Sequence, residues 1–394
     1  MRAAWIIDAV RTPVGKNHGV LKNLRPDDTF GWLIGHLLEK AGVDADLIED
    51  VICGCVTQIG EQGLDIARMS VLAGGLPISI PGVTVHRHCG SSQQAVAFAC
   101  NTVIAGDMDV IVAGGTEFMS RVPMGSDGYG EHLDAANLGS GISPKLFTRF
   151  GMLVPQGISA ELIAEKWGVE RAELDEFGKR SNDLAIEAMD KGLYKEIIPV
   201  EAPQDDGSTI LVENDEGPRR GVTLEKMASL RTPFKPDGVV TAGNSSQISD
   251  GSSAALIMSS EKAQELGLNP RARYVATALT GEDPVLMLTG PITATPKVLK
   301  KAGLDIKDID VVEINEAFSS VVLAWKRELD PPNWDRVNPW GGAIANGHPL
   351  GASGGKLLAT LLSELDYYDG RYGLQTMCMG MGMGIASIYE RIPG

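Results

Sequence analysis

A cysteine stands at a position where the surrounding sequence favours a reactive thiol. Cys89 lies in "VTVHRHCGSSQQAVAFAC", between a short β-branched run and a helix pattern of small residues. A thiol at such a strand-to-helix junction faces unpaired N–H groups and the positive end of the helix, both of which favour the thiolate. The position predicts a nucleophile. The structural alternative is that Cys89 is one more small buried apolar residue.

Three later segments carry residue types that complement a nucleophilic thiol. Asn315 opens "NEAF" directly after a β-branched strand, His348 lies in the Gly-rich "GGAIANGHPLGASG", and Cys378 opens "CMGMGMG". Alternating glycines let a backbone N–H point into a cavity, as an oxyanion site requires. Each residue alone is compatible with a purely structural role. Together they supply a nucleophile, a base and a second thiol that shuttles a proton, which predicts acyl transfer through a thioester.

The bulk composition predicts a soluble, multi-domain α/β protein. The chain has 394 residues, 43% of them hydrophobic, with 47 glycines and few aromatic residues. Its length allows two or three domains with full cores. A formal charge of −16 opposes general binding to nucleic acid or to an anionic membrane, because both need a basic face. No apolar stretch approaches the ~18 residues of a membrane span.

The remaining cysteines indicate neither a disulfide framework nor a metal site. Five cysteines are an odd number, and they form neither a CxxC pair nor a zinc-type spacing. Cys53 and Cys55 lie in a β pattern and are interpreted as strand packing, together with Cys100. A reducing cytoplasm fits this usage best.

The elements that must position these residues are present twice. Leu37–Gly54 and Val298–Asn315 each contain an amphipathic helix ending at Ala-Gly, an acidic turn and a β-branched strand. Downstream of each copy, a reactive-type residue precedes a Gly/Ser-rich helix start, and a buried strand follows. The sequence therefore predicts two homologous α/β halves packed together.

A different kind of sequence separates the two halves. From about Met119 to Val240 the chain is richer in loops and polar helices, including one long helical stretch with a glycine break, which predicts an insertion on the first half. Within it, the segment Gly217–Lys235 is strongly basic in an otherwise acidic chain. This segment is either a solvated charged loop or a clamp for a phosphorylated ligand. Its basic residues are Arg219, Arg220, Lys226, Arg231 and Lys235.

The four chemical segments, in this order, resemble the motifs of the thiolase family. "HRHCGSS" is similar to its nucleophile motif, "NEAF" to its Asn motif, "GHPLGASG" to its His motif and "CMGMG" to its C-x-G-x-G motif. The similarity runs from "DAVRTPVGK" to the end of the chain. It implies the thiolase fold, an α/β fold in which two βαβαβ-type halves stack into five layers, α-β-α-β-α. The expected domains are an N-terminal half (1–118 plus 241–265), an inserted loop domain (119–240) and a C-terminal half (266–394).

The resemblance also implies a role for each site residue. Cys89 would attack the keto carbon of a 3-oxoacyl-CoA, and His348 would accept the thiol proton. Carbon–carbon cleavage would release acetyl-CoA or propionyl-CoA as an enolate, which Cys378 would protonate. His348 and a water fixed by Asn315 would hold the enolate oxygen, while the N–H groups of Cys89 and Gly380 would hold the oxygen in acyl transfer.

Coenzyme A is implied as a co-substrate rather than a prosthetic group, and no metal is expected. The match places Arg219 near the adenine or phosphates, Ser246 near the pantetheine and Met287 close to the active site. The partners expected are acyl-CoA, CoA and further copies of the chain, as a homodimer or homotetramer. A cytoplasmic enzyme of fatty-acid β-oxidation is the leading interpretation.

Several alternatives accompany this interpretation. The same residues could condense two acetyl-CoA to acetoacetyl-CoA, because an enzyme sets the barrier and not the equilibrium. A related ketoacyl synthase would need a second histidine as partner, and the second cysteine, Cys378, argues against it. A non-catalytic acyl-CoA-binding subunit, or an unrelated Cys–His peptidase, would leave the complete set of motifs without a role.

A few positions depart from the pattern of the family. They are Gln93, Gln156, Gln247, Met381 and Met383. None of them removes a catalytic atom. We expect them to alter the lining of the acyl pocket, so the identity of the acyl group stays open. Similar segments occur in bacterial degradative thiolases for unusual acyl groups, including sterol side chains, which is an analogy with the family only.

Overall fold

The computed structural model describes residues 2–128 and 130–393. Within them the strands are β1 (Ala4–Arg11), β2 (Gly15–Lys16), β3 (Asp50–Gly54), β4 (Gly82–Val85), β5 (Val110–Phe118), β6 (Val200–Pro203), β7 (Thr209–Val212), β8 (Ser249–Ser259), β9 (Ala272–Gly281), β10 (Val311–Ile314), β11 (Tyr372–Met379) and β12 (Met383–Arg391). The α-helices are α1 (Pro26–Ala41), α2 (Ile66–Ala73), α3 (Ser91–Ala105), α4 (Glu131–Ala135), α5 (Pro144–Phe150), α6 (Gln156–Trp167), α7 (Arg171–Asp190), α8 (Leu224–Ala228), α9 (Ser260–Glu265), α10 (Gly290–Ala302), α11 (Ser319–Leu329), α12 (Ala343–Asn346) and α13 (Ser353–Tyr368).

The strands repeat one pattern of order and direction in the two halves of the chain. In the first half the order is β4-β3-β5-β8-β1, with β4, β3 and β5 parallel and the β5–β8 and β8–β1 pairs antiparallel. In the second half β10 and β11 are parallel and the β11–β12 and β12–β9 pairs are antiparallel. A parallel bridge from Val312 to Val337 takes the place of the fifth strand. The internal repeat predicted from the sequence is present in the fold.

The helices complete five layers. Helices α1 and α2 pack on the outer face of the first sheet, and α10 and α11 lie on the outer side of the second. Helices α3 and α13 contact each other and both sheets, so they form the middle layer. The two sheets meet edge to edge where Trp5 and Ile6 of β1 pair with Arg273 and Ala272 of β9. The α-β-α-β-α fold class is confirmed.

The middle layer has no solvent face over most of its length. Every residue of α13 from Ser353 to Leu365 is buried, which explains why the helix starts are rich in small residues. A Cβ on Gly54 of β3 would lie 2.3 Å from the backbone nitrogen of Ser92, and one on Gly354 would lie 2.3 Å from that of Gln93. Glycine at these two positions lets backbone pack directly on backbone.

The segment between β5 and β8 forms a region outside the five layers. It contains the hairpin β6–β7 and the helices α4 to α8. The predicted glycine break is Gly168, which lies at φ +61 between α6 and α7. Both helices pack on α11 of the second half. The exact domain bounds stay a prediction.

The hydrophobic cores follow the layers. Cys100 belongs to α3 in the middle layer, so it packs from a helix and not from a strand, whereas Cys53 and Cys55 lie in the core under α1.

Among residues 2–128 and 130–393, no helix combines the length and the apolar composition that crossing a bilayer requires.

The contact between Gly54 and Ser92 gives a test of this packing. We expect Gly54→Ala to lower the free energy of unfolding by about 2 kcal/mol, because the new methyl group overlaps the backbone of α3. The matched control is Gly35→Ala, whose Cβ on α1 meets nothing within 4 Å. It should raise stability by about 0.5 kcal/mol. Urea unfolding followed by circular dichroism measures both, and equal midpoints for the two variants would contradict the close packing of α3 on β3.

Candidate active site

Cys89 sits in a tight turn between β4 and α3. The preceding residue, His88, adopts φ +46, a left-handed conformation that is unfavourable for a non-glycine residue. Behind the turn, a Cβ on Gly90 would lie 2.3 Å from Sδ of Met379, so the start of α3 rests directly on the end of β11. The turn therefore holds Cys89 beside the Gly-rich segment that follows Cys378.

Backbone N–H groups converge on the sulfur of Cys89. The N–H groups of Cys89 itself and of Gly380 hydrogen-bond the sulfur, and so does the side chain of Gln156. These donors lower the pKa, but burial is the largest effect, and the pKa of Cys89 is raised to about 11. Cys89 therefore rests as a thiol in these surroundings, although the donors at the helix start favour the thiolate as expected. The sulfur is only 3% exposed, and removal from water outweighs the nearby donors.

His348 is held as a neutral base with a defined tautomer. Its Nδ1 lies 2.6 Å from Oγ of Ser353, and that hydroxyl donates its own proton to the carbonyl of Pro349 at 2.8 Å. Since the hydroxyl proton is already used, Nδ1 must carry the imidazole proton and donate it to Ser353. The lone pair of Nε2 is then free to accept, and Nδ2 of Asn315 faces it at 3.3 Å.

The surroundings of His348 keep the imidazole uncharged. Burial, and then the positive charge of Lys356 on α13, lower the pKa of His348 to about 3. A neutral imidazole with an open Nε2 can take a proton at neutral pH. The residue has the protonation state of a general base.

The starts of the two central helices bring the histidine and cysteine segments together. The N–H of Gly355 on α13 donates to Oγ of Ser92 on α3 at 3.0 Å. Cys89 lies just before α3 and His348 just before α13. The two halves of the chain thus contribute their reactive residues to one place between the sheets.

Asn315 and Cys378 lie at the ends of neighbouring parallel strands. The N–H of Asn315, after β10, donates to the carbonyl of Thr376 on β11 at 3.0 Å. Burial raises the pKa of Cys378, and the negative charge of a Cys89 thiolate raises it further. The two sulfurs are therefore near each other, and Cys378 stays a protonated thiol that can give up a proton only to a strong base.

The three residues expected to contact CoA differ in their surroundings. Arg219 is exposed on the loop domain, and its guanidinium has no ion-pair partner within residues 2–128 and 130–393. The N–H of Ser246 donates to the carbonyl of Ala317 in the "NEAF" turn at 2.9 Å. Met287 is buried in the same apolar cluster as Cys378. Of the other basic residues, Arg220 pairs with Asp190 and Lys235 with Glu165.

Two of the unusual glutamines make structural hydrogen bonds with their side-chain amides. Gln93 is fully buried between the layers and donates to Oγ of Ser387 at 2.9 Å. Gln247 donates to the backbone carbonyls of Gly217, Ile344 and Ala345, which ties the loop domain to the histidine segment. Both amides are used in structural hydrogen bonds, and their effect on the acyl pocket stays a prediction. Gln156, by contrast, contacts the nucleophile.

Two supporting residues were missed by the sequence analysis. Ser353, which fixes the tautomer of His348, lies inside the "GHPLGASG" motif, so its hydroxyl was a visible signal. Glu117 ends β5 and is fully buried; its carboxylate accepts from the N–H of Val56 and from that of Gly351, both at 2.9 Å. It ties the loop after β3 to the histidine segment, and nothing in the sequence singled it out.

Within the described part of the chain, no cluster of three or more His, Cys, Asp or Glu could hold a metal ion.

Comparison with known proteins identifies matches over nearly the whole chain. The model of the thiolase N-terminal domain matches residues 4–261, and that of the thiolase C-terminal domain matches residues 268–391. A steroid 3-ketoacyl-CoA thiolase of Mycobacterium tuberculosis is 47% identical over 100% of this chain and 95% of its own. A beta-ketoadipyl-CoA thiolase of Acinetobacter baylyi is 42% identical over the full length of both chains. The crystal structure of the Bacillus anthracis acetyl-CoA acetyltransferase superposes with a TM-score of 0.91 at 33% identity, covering 100% of this chain and 99% of that one.

The tautomer of His348 can be tested directly. In protein labelled with 15N-histidine, we expect a signal with protonated Nδ1 and free Nε2 that does not titrate from pH 5 to pH 9, since the pKa of His348 lies at about 3. The signal is assigned by its loss in His348→Asn. Ser353→Ala should shift the population toward the other tautomer, because Nδ1–H loses its acceptor, whereas the control Ser363→Ala on the same helix should not. A titration near the ordinary value of 6.5 would contradict the neutral base.

Proposed function

Since this chain belongs to the thiolase family and is an acyltransferase, we propose that it cleaves 3-oxoacyl-CoA with CoA through an acyl intermediate on Cys89. The observation that carries the proposal is the convergence of two backbone N–H groups on a buried thiol, next to a second protonated thiol. Backbone N–H groups beside the attacking sulfur can also hold the oxyanion that forms on the attacked carbon. The proposed products are acetyl-CoA or propionyl-CoA and an acyl-CoA shortened by that unit.

In the first half-reaction, Nε2 of His348 accepts the proton of Cys89 and the sulfur attacks the keto carbon. The N–H groups of Cys89 and Gly380 hold the oxyanion, each worth about 3 kcal/mol of barrier. The bond between C2 and C3 then breaks, and its electron pair forms the enolate of the leaving thioester. Cys378 gives its proton to C2 of this enolate, whose oxygen is held by His348 and by a water on Asn315.

In the second half-reaction, the acyl group leaves Cys89 for free CoA. Cys378, now a thiolate, takes the proton of the CoA thiol, and the CoA sulfur attacks the acyl carbon. The bond from that carbon to the sulfur of Cys89 breaks, and the sulfur recovers a proton from His348. Both thiols and the imidazole then return to their starting protonation states.

The exposed Arg219 supports a place for the phosphates or adenine of CoA on the loop domain, since an unpaired guanidinium suits phosphate. Ser246 would contact the pantetheine, and Met287 would pack beside the reacting carbons. We further propose a cytoplasmic homodimer or homotetramer acting in β-oxidation-type degradation.

The acyl intermediate gives the decisive experiment. After brief mixing with a 3-oxoacyl-CoA and no free CoA, peptide mass spectrometry should find the acyl group on Cys89. Cys89→Ala should fold normally and lose about 10⁴-fold or more in thiolysis, because the nucleophile is gone. An acyl group found on another residue, or a Cys89→Ala variant that keeps most of its thiolysis activity, would contradict the mechanism.

A variant of Cys378 distinguishes the acyl-transfer step from the cleavage of the carbon–carbon bond. Cys378→Ala should still take up an acyl group from a simple acyl-CoA onto Cys89, because that step needs no enolate. Cleavage of acetoacetyl-CoA should fall by about 10³-fold or more, since the proton donor for the enolate is missing. Cys100→Ala, at a buried cysteine remote from the site, is the control. Normal cleavage by Cys378→Ala would exclude the acid role.

The chemical class of the acyl group that the protein accepts can be determined with a panel of substrates. The names of the relatives include steroid and beta-ketoadipyl substrates, so the panel runs from acetoacetyl-CoA through linear and dicarboxylic chains to branched, aromatic and steroidal esters. Ratios of kcat/KM rank these substrates in the thiolysis direction. The same panel run with acetyl-CoA and each acyl-CoA measures condensation.

A further inference from the structure

Gln156, the first residue of α6, presents its side-chain amide to the reacting sulfur. The side-chain amide of Gln156 lies within reach of the sulfur of Cys89 and lowers the pKa of that thiol, as do the N–H groups of Cys89 and Gly380. A Cβ on Gly380 would lie 3.4 Å from Nε2 of Gln156. The amide nitrogen therefore lies over the glycine whose own N–H faces the same sulfur.

The start of α6 is anchored on two sides, so the amide is held in place. A Cβ on Gly157 would lie 2.2 Å from Cδ1 of Phe234, so this ring packs directly against the helix backbone. Phe234 in turn meets the ring of Phe318 edge to face at 6.3 Å, in the "NEAF" turn. On the other side, Oγ of Ser159 donates to the carbonyl of Leu286 at 2.7 Å, next to Met287.

The other polar neighbour brings no positive charge to the sulfur. The ring of His88 lies as near to the Cβ position of Gly380 as Gln156 does, at 3.4 Å, and meets His86 edge-on at 4.8 Å. Burial lowers the pKa of His88 to about 4, so this imidazole is neutral at physiological pH. As the thiol of Cys89 loses its proton, hydrogen-bond donors and not a charged His88 stabilise the negative charge on the sulfur.

We propose that Gln156 is a catalytic residue, whose amide N–H donates a hydrogen bond to the sulfur of Cys89 as the thiol loses its proton. The proton moves from the sulfur to Nε2 of His348, and the sulfur keeps the electron pair that attacks the substrate. The inference rests on the proposed function, in which Cys89 is the acyl acceptor. An apolar side chain of equal length at position 156 would remove the donor and leave the packing of α6 intact.

Alkylation of Cys89 by iodoacetamide tests this step without any acyl-CoA. A hydrogen bond to a charged sulfur lowers its pKa by about one unit, so Gln156→Met should hold about tenfold less thiolate at pH 8. Because the more basic thiolate is also the better nucleophile, the net alkylation should be about threefold slower. Gln156→Glu should be slower still, because a carboxylate beside the sulfur opposes the thiolate. Peptide mass spectrometry counts the label on Cys89 alone.

The control is Gln264→Met, at an exposed glutamine on α9, which should alkylate at the wild-type rate. Equal rates for wild type and Gln156→Met would overturn the inference. If Gln156→Met fails to fold by circular dichroism, Gln156→Leu, which also lacks a donor and adds no charge, decides: slower alkylation supports the donor role, and an unchanged rate overturns it. An altered alkylation rate in a protein that forms no acyl-Cys89 would refute the proposed function and leave the hydrogen bond to the sulfur established.

Discussion

The close contact between the two central helices is the constraint on which the site depends. Helices α3 and α13 touch at their first turns, where the N–H of Gly355 donates to Ser92, and each also packs on both sheets. Cys89 and His348 immediately precede these turns in the two halves of the chain. Glycines at the contact points allow backbone to lie on backbone, so the helix starts cannot separate without opening the core. The geometry of the reactive pair is therefore fixed by the most buried layer of the fold and not by flexible loops.

Because these side chains are buried, each reactive group rests in its neutral form. Removal from water raises the pKa of Cys89 to about 11 and lowers that of His348 to about 3. A thiol and an uncharged imidazole are less reactive than a thiolate and an imidazolium, and they are also inert toward solvent. Hydrogen-bond donors already aimed at the sulfur then stabilise charge only as it develops, which is the condition for lowering a barrier.

The sequence predicted the repeat, the five-layer fold and the chemical segments, because each depends on local pattern and on glycine-rich motifs of recognisable spacing. It did not predict the protonation of Cys89, because a helix start suggested a thiolate and the degree of burial is a property of the packed layers. It also did not reveal the hydrogen bonds of Gln93 and Gln247, whose side chains were expected to alter the acyl pocket. Their amides satisfy backbone and hydroxyl groups between layers, as buried amides must. Glu117 could not be found at all, since its role is to join two loops that lie more than 200 residues apart.

The charge balance of α13 explains how a neutral base is maintained beside buried ions. Lys356 lies one turn after Ser353, and its positive charge disfavours protonation of His348. The same lysine is attracted by the carboxyl group of Glu313 on β10, whose pKa burial raises to about 8. Glu364, further along α13, hydrogen-bonds Glu313, and its pKa is also raised. Lys356 and Glu313 attract each other, so each favours the charged form of the other against the cost of burial. The tautomer of His348 thus follows from Ser353, and its neutral form follows from burial and from Lys356. Both residues lie on the helix whose first turn contacts the start of α3.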